Sequence, residues 1–417
     1  MKRFLSSFTL LMAVVALFAT DYSYTQCEGS LTPYPTIDRV AQYPDSLVPV
    51  FINHVGRHGA RYPASAANCL ALRKALHKAD SLGTITPLGK QLNALNEQVI
   101  RLSNGRWGAL DSLGMAEQAG IAARMFANYT EVFRKGAVVQ ALSSYSPRAM
   151  MSMYSFVHQL DKLNNNVTYT TSTGHINNAL MRPFDIDRDY LDFRKNKVWE
   201  PPYKAYFDAS APAAPIKRVL GEAYPFTDEN EARELSLIEY YVLAGCTAMS
   251  LPNPMADYLT MAEANALWSC FNLRQYLQRT GTTVSSVPAD IASALVQNII
   301  ETTDNFINGA NTTTTAMLRF GHAETVMPLV SLLRLPGCYY LTNYFDTVDE
   351  HWLDFDVVPM ASNVQFILFQ APKSGRYYIR IELNEQPVAL RKGDSDTIFP
   401  WGEVRRYLTD CIPLYRN

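Results

Sequence analysis

Two guanidinium groups and one imidazole lie close together in the tract Arg57–Pro63, which reads RHGARYP. A guanidinium binds two oxygens of a phosphate at once, and an unprotonated imidazole can attack phosphorus and carry it covalently. The tract directly follows the apolar run 48–52 (VPVFI), which predicts a buried strand. We therefore predict a phosphoryl-transfer site at a strand end, where Arg57 and Arg61 bind the phosphate and His58 is the nucleophile.

A second tract, 319–325 (RFGHAET), lies at the end of another predicted strand, 313–320. An alkoxide leaves phosphorus poorly unless an acid protonates it. Glu324 is predicted to be that proton donor, and His322 is predicted to donate a hydrogen bond to a phosphoryl oxygen. Because Glu324 must start protonated, we expect the reaction to be fastest at acidic pH.

Arg148 supplies a third guanidinium near a strand end. It follows the predicted strand 138–142 and a turn over residues 143–147. The carboxyl ends of strands in an α/β sheet meet at one edge, so Arg148 is predicted to complete the phosphate-binding cradle. His54, close to the first tract, is expected to orient the loop that carries the nucleophile.

The sequence lacks the motifs of several other enzyme classes. It contains no G-x-x-x-x-G-K-[ST] and no G-x-G-x-x-G, so we expect no nucleotide cofactor. H-E-x-x-H and C-x-x-C are also absent, so no metal is expected. The absence of G-x-S-x-G argues against an acyl hydrolase. A formal net charge of -2 argues against nucleic acid as a partner, which leaves a small-molecule substrate.

The strand and helix patterns change along the chain. Up to residue 165 they alternate, as in an α/β fold, whereas residues 172–311 are mostly helical and strand patterns return after them. The predicted helices are 66–79, 87–102, 110–129, 231–248, 261–279 and 291–307, and the later strands are 313–320, 364–370 and 377–383. We predict a discontinuous α/β domain, 27–171 and 312–417, whose carboxyl sheet edge is capped by a helical domain, 172–311.

The first residues have the pattern of a secretory signal peptide. Lys2 and Arg3 precede the apolar run 8–18, which is too short to span a bilayer comfortably. We predict that residues 1–26 are a signal peptide, with cleavage between Ala19 and Cys27, and that the protein is periplasmic, secreted or on the cell surface. No other apolar run is long enough to span a membrane, and a lipid anchor at Cys27 is disfavoured by the residues before it.

Export would permit disulfide bonds among the six cysteines. Cys246 and Cys270 are a plausible local pair, but the spacing does not choose among the pairings. The cysteines are Cys27, Cys69, Cys246, Cys270, Cys338 and Cys411.

Taken together, these tracts resemble the histidine acid phosphatases. The family signature R-H-G-x-R-x-P is present as Arg57–Pro63. The distal element is most often His-Asp in that family, whereas His322-Ala323-Glu324 is similar to the branch of multiple inositol polyphosphate phosphatases. Residues 320–329 (FGHAETVMPL) and 378–390 are also similar to that branch. The segment 110–114 (LDSLG) departs from the usual Leu-Thr before a Gly, which we expect to affect helix packing more than chemistry.

The resemblance implies a fold and a mechanism. The fold is a mixed central sheet with flanking helices, similar to phosphoglycerate mutase, with an inserted α-helical domain and no metal. His58 would form a phosphohistidine, and Glu324 would protonate the leaving oxygen and then activate water. The phosphoryl group would be held by Arg57, Arg61, Arg148 and His322. Phytate and lower inositol phosphates are the implied substrates, and Arg182 is predicted to contact a peripheral phosphate.

Two other functions stay open at this point. A histidine phosphatase for small monoesters, such as sugar phosphates or bisphosphoglycerate, would need fewer basic groups outside the phosphate-binding cradle. A non-catalytic inositol-phosphate-binding protein is disfavoured because His58, His322 and Glu324 are all present. We expect a monomer.

Overall fold

Eight strands form one sheet in the computed structural model, which describes residues 21–311 and 313–413. Most of the predicted signal peptide, residues 1–20, therefore lies outside the described residues. The sheet order is β3-β2-β4-β1-β5-β6-β7, and β8 pairs with β6. The strands are β1 Val48–Arg57, β2 Val138–Ser143, β3 Thr168–Ser172, β4 Thr314–Gly321, β5 Asn363–Ala371, β6 Arg376–Leu383, β7 Gln386–Val388 and β8 Phe399–Pro400.

The sheet is mixed, as predicted. β1, β4, β2 and β3 pair in parallel, while β5 is antiparallel to β1 and to β6. Arg57 lies opposite Gly321 at the ends of β1 and β4, and Ser143 lies opposite Phe320 at the ends of β2 and β4. The carboxyl ends of three adjacent strands therefore meet at one edge, where α/β sheets bind ligands.

Helices connect the strands and cover both faces of the sheet. Each long predicted helix is found within a few residues of its predicted bounds. The strand β3 was not predicted, because its sequence TYTTS is polar and largely exposed. The helices are α1 Ala67–Ser81, α2 Pro87–Ser103, α3 Ser112–Asn128, α4 Pro147–Leu163, α5 Asn178–Met181, α6 Arg188–Lys195, α7 Glu200–Ser210, α8 Ala214–Leu220, α9 Glu229–Ala244, α10 Met255–Tyr258, α11 Met261–Arg279, α12 Val287–Asp290, α13 Ser293–Ile307, α14 Ala323–Leu332, α15 Val348–His351, α16 Asp354–Val357 and α17 Trp401–Cys411.

The alternation of side chains along β1 divides the core in two. Phe51 and Val55 pack with α13 and α14 on one face, whereas Ile52 packs with α3 and α4 on the other. A further core joins α1, α2, α8, α9 and α11 without any strand. Within the described chain no strand lies between β3 and β4, yet α13 packs against the sheet through Phe306. The division into two domains at residues 172 and 311 stays a prediction.

The local pair that the sequence made plausible, Cys246 with Cys270, does not form a disulfide. All six cysteines are free and buried, and the Cys246 thiol instead donates to the carbonyl of Val242 at 3.4 Å within the packed interior. Burial raises the pKa of both Cys246 and Cys270 to about 12, so each is a thiol and not a reactive thiolate. No helix of the described residues has the length and apolar character needed to cross a bilayer.

Glu239 on α9 is a buried carboxyl that makes stability depend on pH. Its side chain is fully buried, and neither oxygen has a hydrogen-bond partner among residues 21–311 and 313–413. Burial raises its pKa from 4.5 to about 8, against an opposing effect of Arg218. Between these values the folded protein keeps the proton that the unfolded chain releases, so stability falls as pH rises through that window.

Replacing Glu239 by glutamine should remove much of this pH dependence. The variant cannot ionise, so we expect it to be more stable than the wild type at pH 8 by on the order of 3 kcal/mol, and little changed at pH 4. Urea unfolding at both pH values measures the difference. Glu234→Gln, at an exposed position of the same helix, is the matched control. Equal pH slopes in wild type and Glu239→Gln would contradict the prediction.

Candidate active site

The loops after β1, β2 and β4 surround a cavity of about 390 Å³ at the carboxyl edge of the sheet. Arg57, His58 and Arg61 line it from the first tract, and Glu324 lines it from the second. Arg148, the second residue of α4, is also part of the lining. The ring of His322 lies 5.5 Å from that of His58, centroid to centroid. The fold therefore brings together all the residues predicted for the phosphate cradle and the proton transfer.

The loop that carries His58 is fixed by hydrogen bonds from its neighbours. The His58 amide donates to the carbonyl of Gly321 at 3.1 Å, which ties the loop to the end of β4. On α3, Glu117 accepts from the amide of Ala60 at 2.7 Å, and Gln118 donates to the carbonyl of Arg57 at 2.9 Å. Such contacts hold a nucleophile in one orientation before any substrate arrives.

Two glycines let α3 pack its backbone directly on this loop. A Cβ added to Gly59 would lie 2.4 Å from the carbonyl oxygen of Gly114, and one added to Gly114 would lie 2.2 Å from that of Ala60. Gly59 thus allows close approach to α3, and this approach explains why segment 110–114 matters for packing. The expectation that the departure in this segment affects packing more than chemistry stays a prediction.

We expect Gly114→Ala to displace the nucleophile loop. The added methyl group should cost about 1–3 kcal/mol of stability and lower kcat at least tenfold, because the loop backbone must shift. Thermal unfolding and phosphate release measure the two effects. Gly120→Ala on the same helix is the control, since its Cβ would meet only the guanidinium of Arg124 at 3.1 Å, which can move. Wild-type activity in Gly114→Ala would contradict this role.

The arginines of the cradle carry positive charge that protein carboxylates only partly balance. Arg57 donates through Nη1 to the carbonyls of Ser30 and Val358, at 2.6 and 2.5 Å. Its Nε is buried and has no partner within the described part of the chain, as is true of the Nε atoms of Arg61 and Arg148. Burial, and then Arg61, lowers the pKa of Arg57 to about 9, so it stays charged. Fixed, buried donors of this kind favour an anion.

His58 has the protonation state of a nucleophile. Its Nδ1 lies 2.9 Å from the carbonyl of Gly59, which can only accept, so Nδ1 carries the proton and Nε2 has the free lone pair. Burial, followed by the charges of Arg148 and Arg57, holds the pKa of His58 well below its usual 6.5. The imidazole is therefore neutral at neutral pH.

His322 is held between two arginines. Arg182 donates through Nη1 to Nε2 at 2.8 Å, while Nη2 of Arg148 lies 3.3 Å from Nδ1. A neutral imidazole accepts at one nitrogen only, and burial together with Arg148 lowers its pKa to about 3. The shorter contact assigns the lone pair to Nε2, which leaves the Nδ1 proton available for a phosphoryl oxygen.

Arg182 does not line the cavity and contacts protein groups around His322. Its Nε donates to Asp185 at 2.6 Å, and its guanidinium stacks over the rings of Tyr145 and Phe184, at 4.8 and 4.7 Å from their centroids. With its contact to His322, these interactions make Arg182 a support of that ring. A peripheral phosphate contact by Arg182 stays a prediction.

Glu324 is paired with an arginine that was not predicted. Arg279, at the end of α11, donates through Nη2 to its Oε1 at 2.8 Å. Burial alone would raise the pKa of Glu324, but Arg279 and His322 outweigh it and bring the pKa to about 2. In this arrangement the carboxyl is ionised even at acidic pH. The expectation that the reaction is fastest at acidic pH, because Glu324 must start protonated, stays a prediction.

Arg279 is one of three arginines that line the cavity outside the cradle, with Arg194 and Arg274. Arg194 comes from α6, which was not predicted as a helix. Arg274 and Arg279 come from α11, where sequence periodicity predicts a helix but not which face meets a site formed by distant strands. Arg194 donates through Nη1 to Gln278 at 2.5 Å, next to Arg279 in sequence. The sequence offered no more than two arginines, Arg274 and Arg279, near the end of α11.

His54 does not orient the loop. Its ring is buried between those of Phe156 and Phe320, with centroids 5.2 Å from each. Neither nitrogen has a hydrogen-bond partner in the described ranges, and burial lowers the pKa of His54 to about 3. Because side chains alternate along a strand, His54 points away from the cavity and into the core.

The described residues contain no cluster of three or more His, Cys, Asp or Glu side chains suited to a metal ion.

Comparisons with known proteins assign the chain to a family. The model of the histidine phosphatase superfamily (branch 2) matches residues 50–384, which include both tracts. The chain is 24% identical over 406 residues to Multiple inositol polyphosphate phosphatase 1 of Gallus gallus, covering 92% of this chain and 86% of the chicken protein.

Solved structures with the same fold confirm the predicted architecture. One is the Multiple Inositol Polyphosphate Phosphatase of Bifidobacterium longum in complex with inositol hexasulfate, with a TM-score of 0.78, 19% identity, and coverage of 94% of this chain and 99% of that one. Another is the phytase from D. castellii, with a TM-score of 0.71, 16% identity, and coverage of 97% and 90%.

Proposed function

The chain belongs to the histidine phosphatase superfamily (branch 2), and we propose that it hydrolyses phosphate monoesters of inositol polyphosphates through a phosphohistidine on His58. One observation carries the substrate class. Arg194, Arg274 and Arg279 line the same cavity as the cradle of Arg57, Arg61 and Arg148. One phosphate fills the cradle, so the additional guanidiniums fit a substrate with several phosphates.

The first step transfers the phosphoryl group to the enzyme. Nε2 of His58 attacks phosphorus as the bond from phosphorus to the ester oxygen breaks, and its electron pair goes to that oxygen. Glu324 gives the oxygen a proton, so the product leaves as an alcohol. Arg57, Arg61 and Arg148 balance the charge on the phosphoryl oxygens, and the Nδ1 proton of His322 is a further donor.

The second step releases phosphate. A water molecule attacks phosphorus and gives its proton to Glu324, while the phosphorus–nitrogen bond breaks and its electrons return to Nε2 of His58. Glu324 is then protonated again, so the sum of both steps is ester plus water giving alcohol plus phosphate. The hydrogen bond from Nδ1 to the carbonyl of Gly59 keeps His58 oriented throughout.

The relatives support the proposed substrate class. The similar chicken protein is named for inositol polyphosphates, and the B. longum structure is described as a complex with inositol hexasulfate. A phosphatase for small monoesters would have no use for three arginines outside the cradle.

The deciding experiment compares kcat/KM on phytate and on glucose 1-phosphate, with and without a chelator. We expect phytate to be preferred by at least about 100-fold, since each additional ion pair in a desolvated site strengthens binding, and we expect no effect of EDTA. A preference for glucose 1-phosphate would favour a phosphatase for small monoesters. A stable phytate complex without phosphate release would favour a non-catalytic binding protein.

We further propose that the chain is exported and that its signal peptide is cleaved before Tyr22. The Tyr22 amide donates to Asn265 at 2.9 Å, its ring packs on Trp268 with centroids 4.8 Å apart, and Cys27 is fully buried. Cleavage as late as Cys27 would remove these contacts, and lipidation of Cys27 would require unpacking it. The intact mass of the exported protein tests this proposal, and a chain that begins after Tyr22 contradicts it.

A further inference from the structure

We propose that Arg279 couples substrate recognition to proton transfer, by holding Glu324 as a carboxylate until a second phosphate of the substrate draws the guanidinium away. The proposal rests on the proposed function and names a positioning residue within it. Arg279 acts through Glu324, which is the group that exchanges a proton with the reacting oxygen.

The contacts of Arg279 allow such an exchange of partners. Its Nη2 donates to Glu324, its Nη1 donates to Gln275, and its buried Nε has no partner in the portion of the chain that is described. The side chain is 19% exposed and lies in the cavity lining, at the last residue of α11. A long side chain at a helix end can turn its guanidinium towards a phosphate without moving the helix. The Nε–H of Arg279, which has no partner among the described residues, can donate a hydrogen bond to that phosphate.

Glu324 is surrounded by positive charge from several elements. Arg279 of α11 is its direct ion-pair partner, and Arg57 and Arg61 approach it from the loop after β1. The titratable and charged groups that face it are Arg279, His322, Arg57, Arg61, Arg148 and Tyr190. A phosphoryl group in the cradle balances Arg57, Arg61 and Arg148, but it leaves the pair with Arg279 intact. Protonation of Glu324 then requires a second anion that competes for Arg279.

The need for a second anion at Arg279 makes polyphosphates and monophosphates differ in the rate of proton transfer as well as in binding. A monophosphate fills the cradle only, so Glu324 stays ionised and the alkoxide lacks its acid. A polyphosphate also engages Arg279, so Glu324 takes up a proton from solvent and gives it to the leaving oxygen. In the second step water gives a proton to Glu324. This proton goes to solvent when the product leaves and Arg279 pairs with Glu324 again.

The test compares kcat as a function of pH on inositol hexakisphosphate and on inositol 1-phosphate, two substrates with the same type of leaving group. In the wild type, we expect the alkaline limb of kcat to lie at least about one pH unit higher for the hexakisphosphate, because Glu324 has lost its cationic partner. Identical limbs for the two substrates would overturn the proposal. This comparison needs no variant, so it does not depend on the folding of one.

Variants give the second arm of the test. Arg279→Gln should raise kcat on the monophosphate several-fold, move its alkaline limb upwards, and raise KM for the hexakisphosphate. Arg279→Lys should keep the wild-type limb. Arg274→Gln, which removes a cavity charge on the same helix, should raise KM without moving the limb. An Arg279→Gln variant that loses kcat equally on both substrates with unchanged limbs would show a merely structural role.

The outcome also separates this proposal from the proposed function. A wild type that releases no phosphate from inositol hexakisphosphate refutes the proposed function itself. A wild type that hydrolyses it with the same pH limb on both substrates refutes only the role of Arg279.

Discussion

Alanine in place of His58 is expected to lower kcat on inositol hexakisphosphate by at least about 10⁴-fold, because the imidazole that attacks phosphorus is removed. The neutral ring with Nδ1 bound to the carbonyl of Gly59 has its lone pair on Nε2, and a methyl group offers none. KM should change little, since the arginines of the cradle remain. Initial rates of phosphate release, together with binding of the substrate by calorimetry, separate the two quantities.

The control for this substitution is His158→Ala, which removes an exposed imidazole from α4 without touching the cavity. It should keep wild-type kinetics. Thermal unfolding of both variants shows whether the fold is intact. A folded His58→Ala enzyme with more than a few per cent of wild-type kcat would mean that another nucleophile, or water itself, attacks phosphorus.

Glutamine in place of Glu324 is expected to lower kcat by an amount that depends on the leaving group of the substrate. With an alkoxide leaving group, kcat should fall by about 10²- to 10⁴-fold, because glutamine cannot donate a proton to it. With p-nitrophenyl phosphate the leaving group is stable as an anion, so transfer to His58 should stay fast. Hydrolysis of the phosphohistidine should be slow, since Glu324 also accepts the proton of water.

The measurement is stopped-flow release of nitrophenolate. Glu324→Gln should give a burst close to one equivalent per active site, followed by a slow steady state, whereas the wild type should give a smaller burst or none. Glu301→Gln, which changes an exposed carboxyl on α13, should behave as the wild type. Equal losses on the alkyl and the nitrophenyl ester, without a burst, would contradict a proton-transfer role for Glu324.

The residues of the cradle could be predicted because each follows directly from a strand. The apolar run before Arg57 and the strand before His322 place both tracts at the same sheet edge, whatever the details of the connection. The parallel pairing of β1 with β4 then brings two tracts far apart in sequence into contact. The same argument holds for Arg148, which follows β2 after a short turn.

The rest of the site depends on how helices pack against each other, which the sequence pattern of one helix does not reveal. Arg194 and Arg279 lie on helices, and only the docking of α6 and α11 turns them towards the cavity. The ion pair of Arg279 with Glu324 could not be predicted for this reason. The expectation about His54 was wrong for a different reason. It rested on nearness in sequence to His58, whereas successive side chains along β1 point to opposite faces of the sheet. The edge strand β3 lacks the apolar period that would reveal it.

The most direct test of the account is to identify the atom that carries phosphorus between the two steps. Glu324→Gln, in which transfer from p-nitrophenyl phosphate should stay fast while hydrolysis is slow, is mixed with radiolabelled p-nitrophenyl phosphate. It is then quenched in alkali because phosphohistidine is labile in acid, digested and analysed by tandem mass spectrometry. The account predicts label on the peptide that contains His58, with phosphate on the imidazole. Label on another residue, or free phosphate released without any labelled peptide, would contradict it.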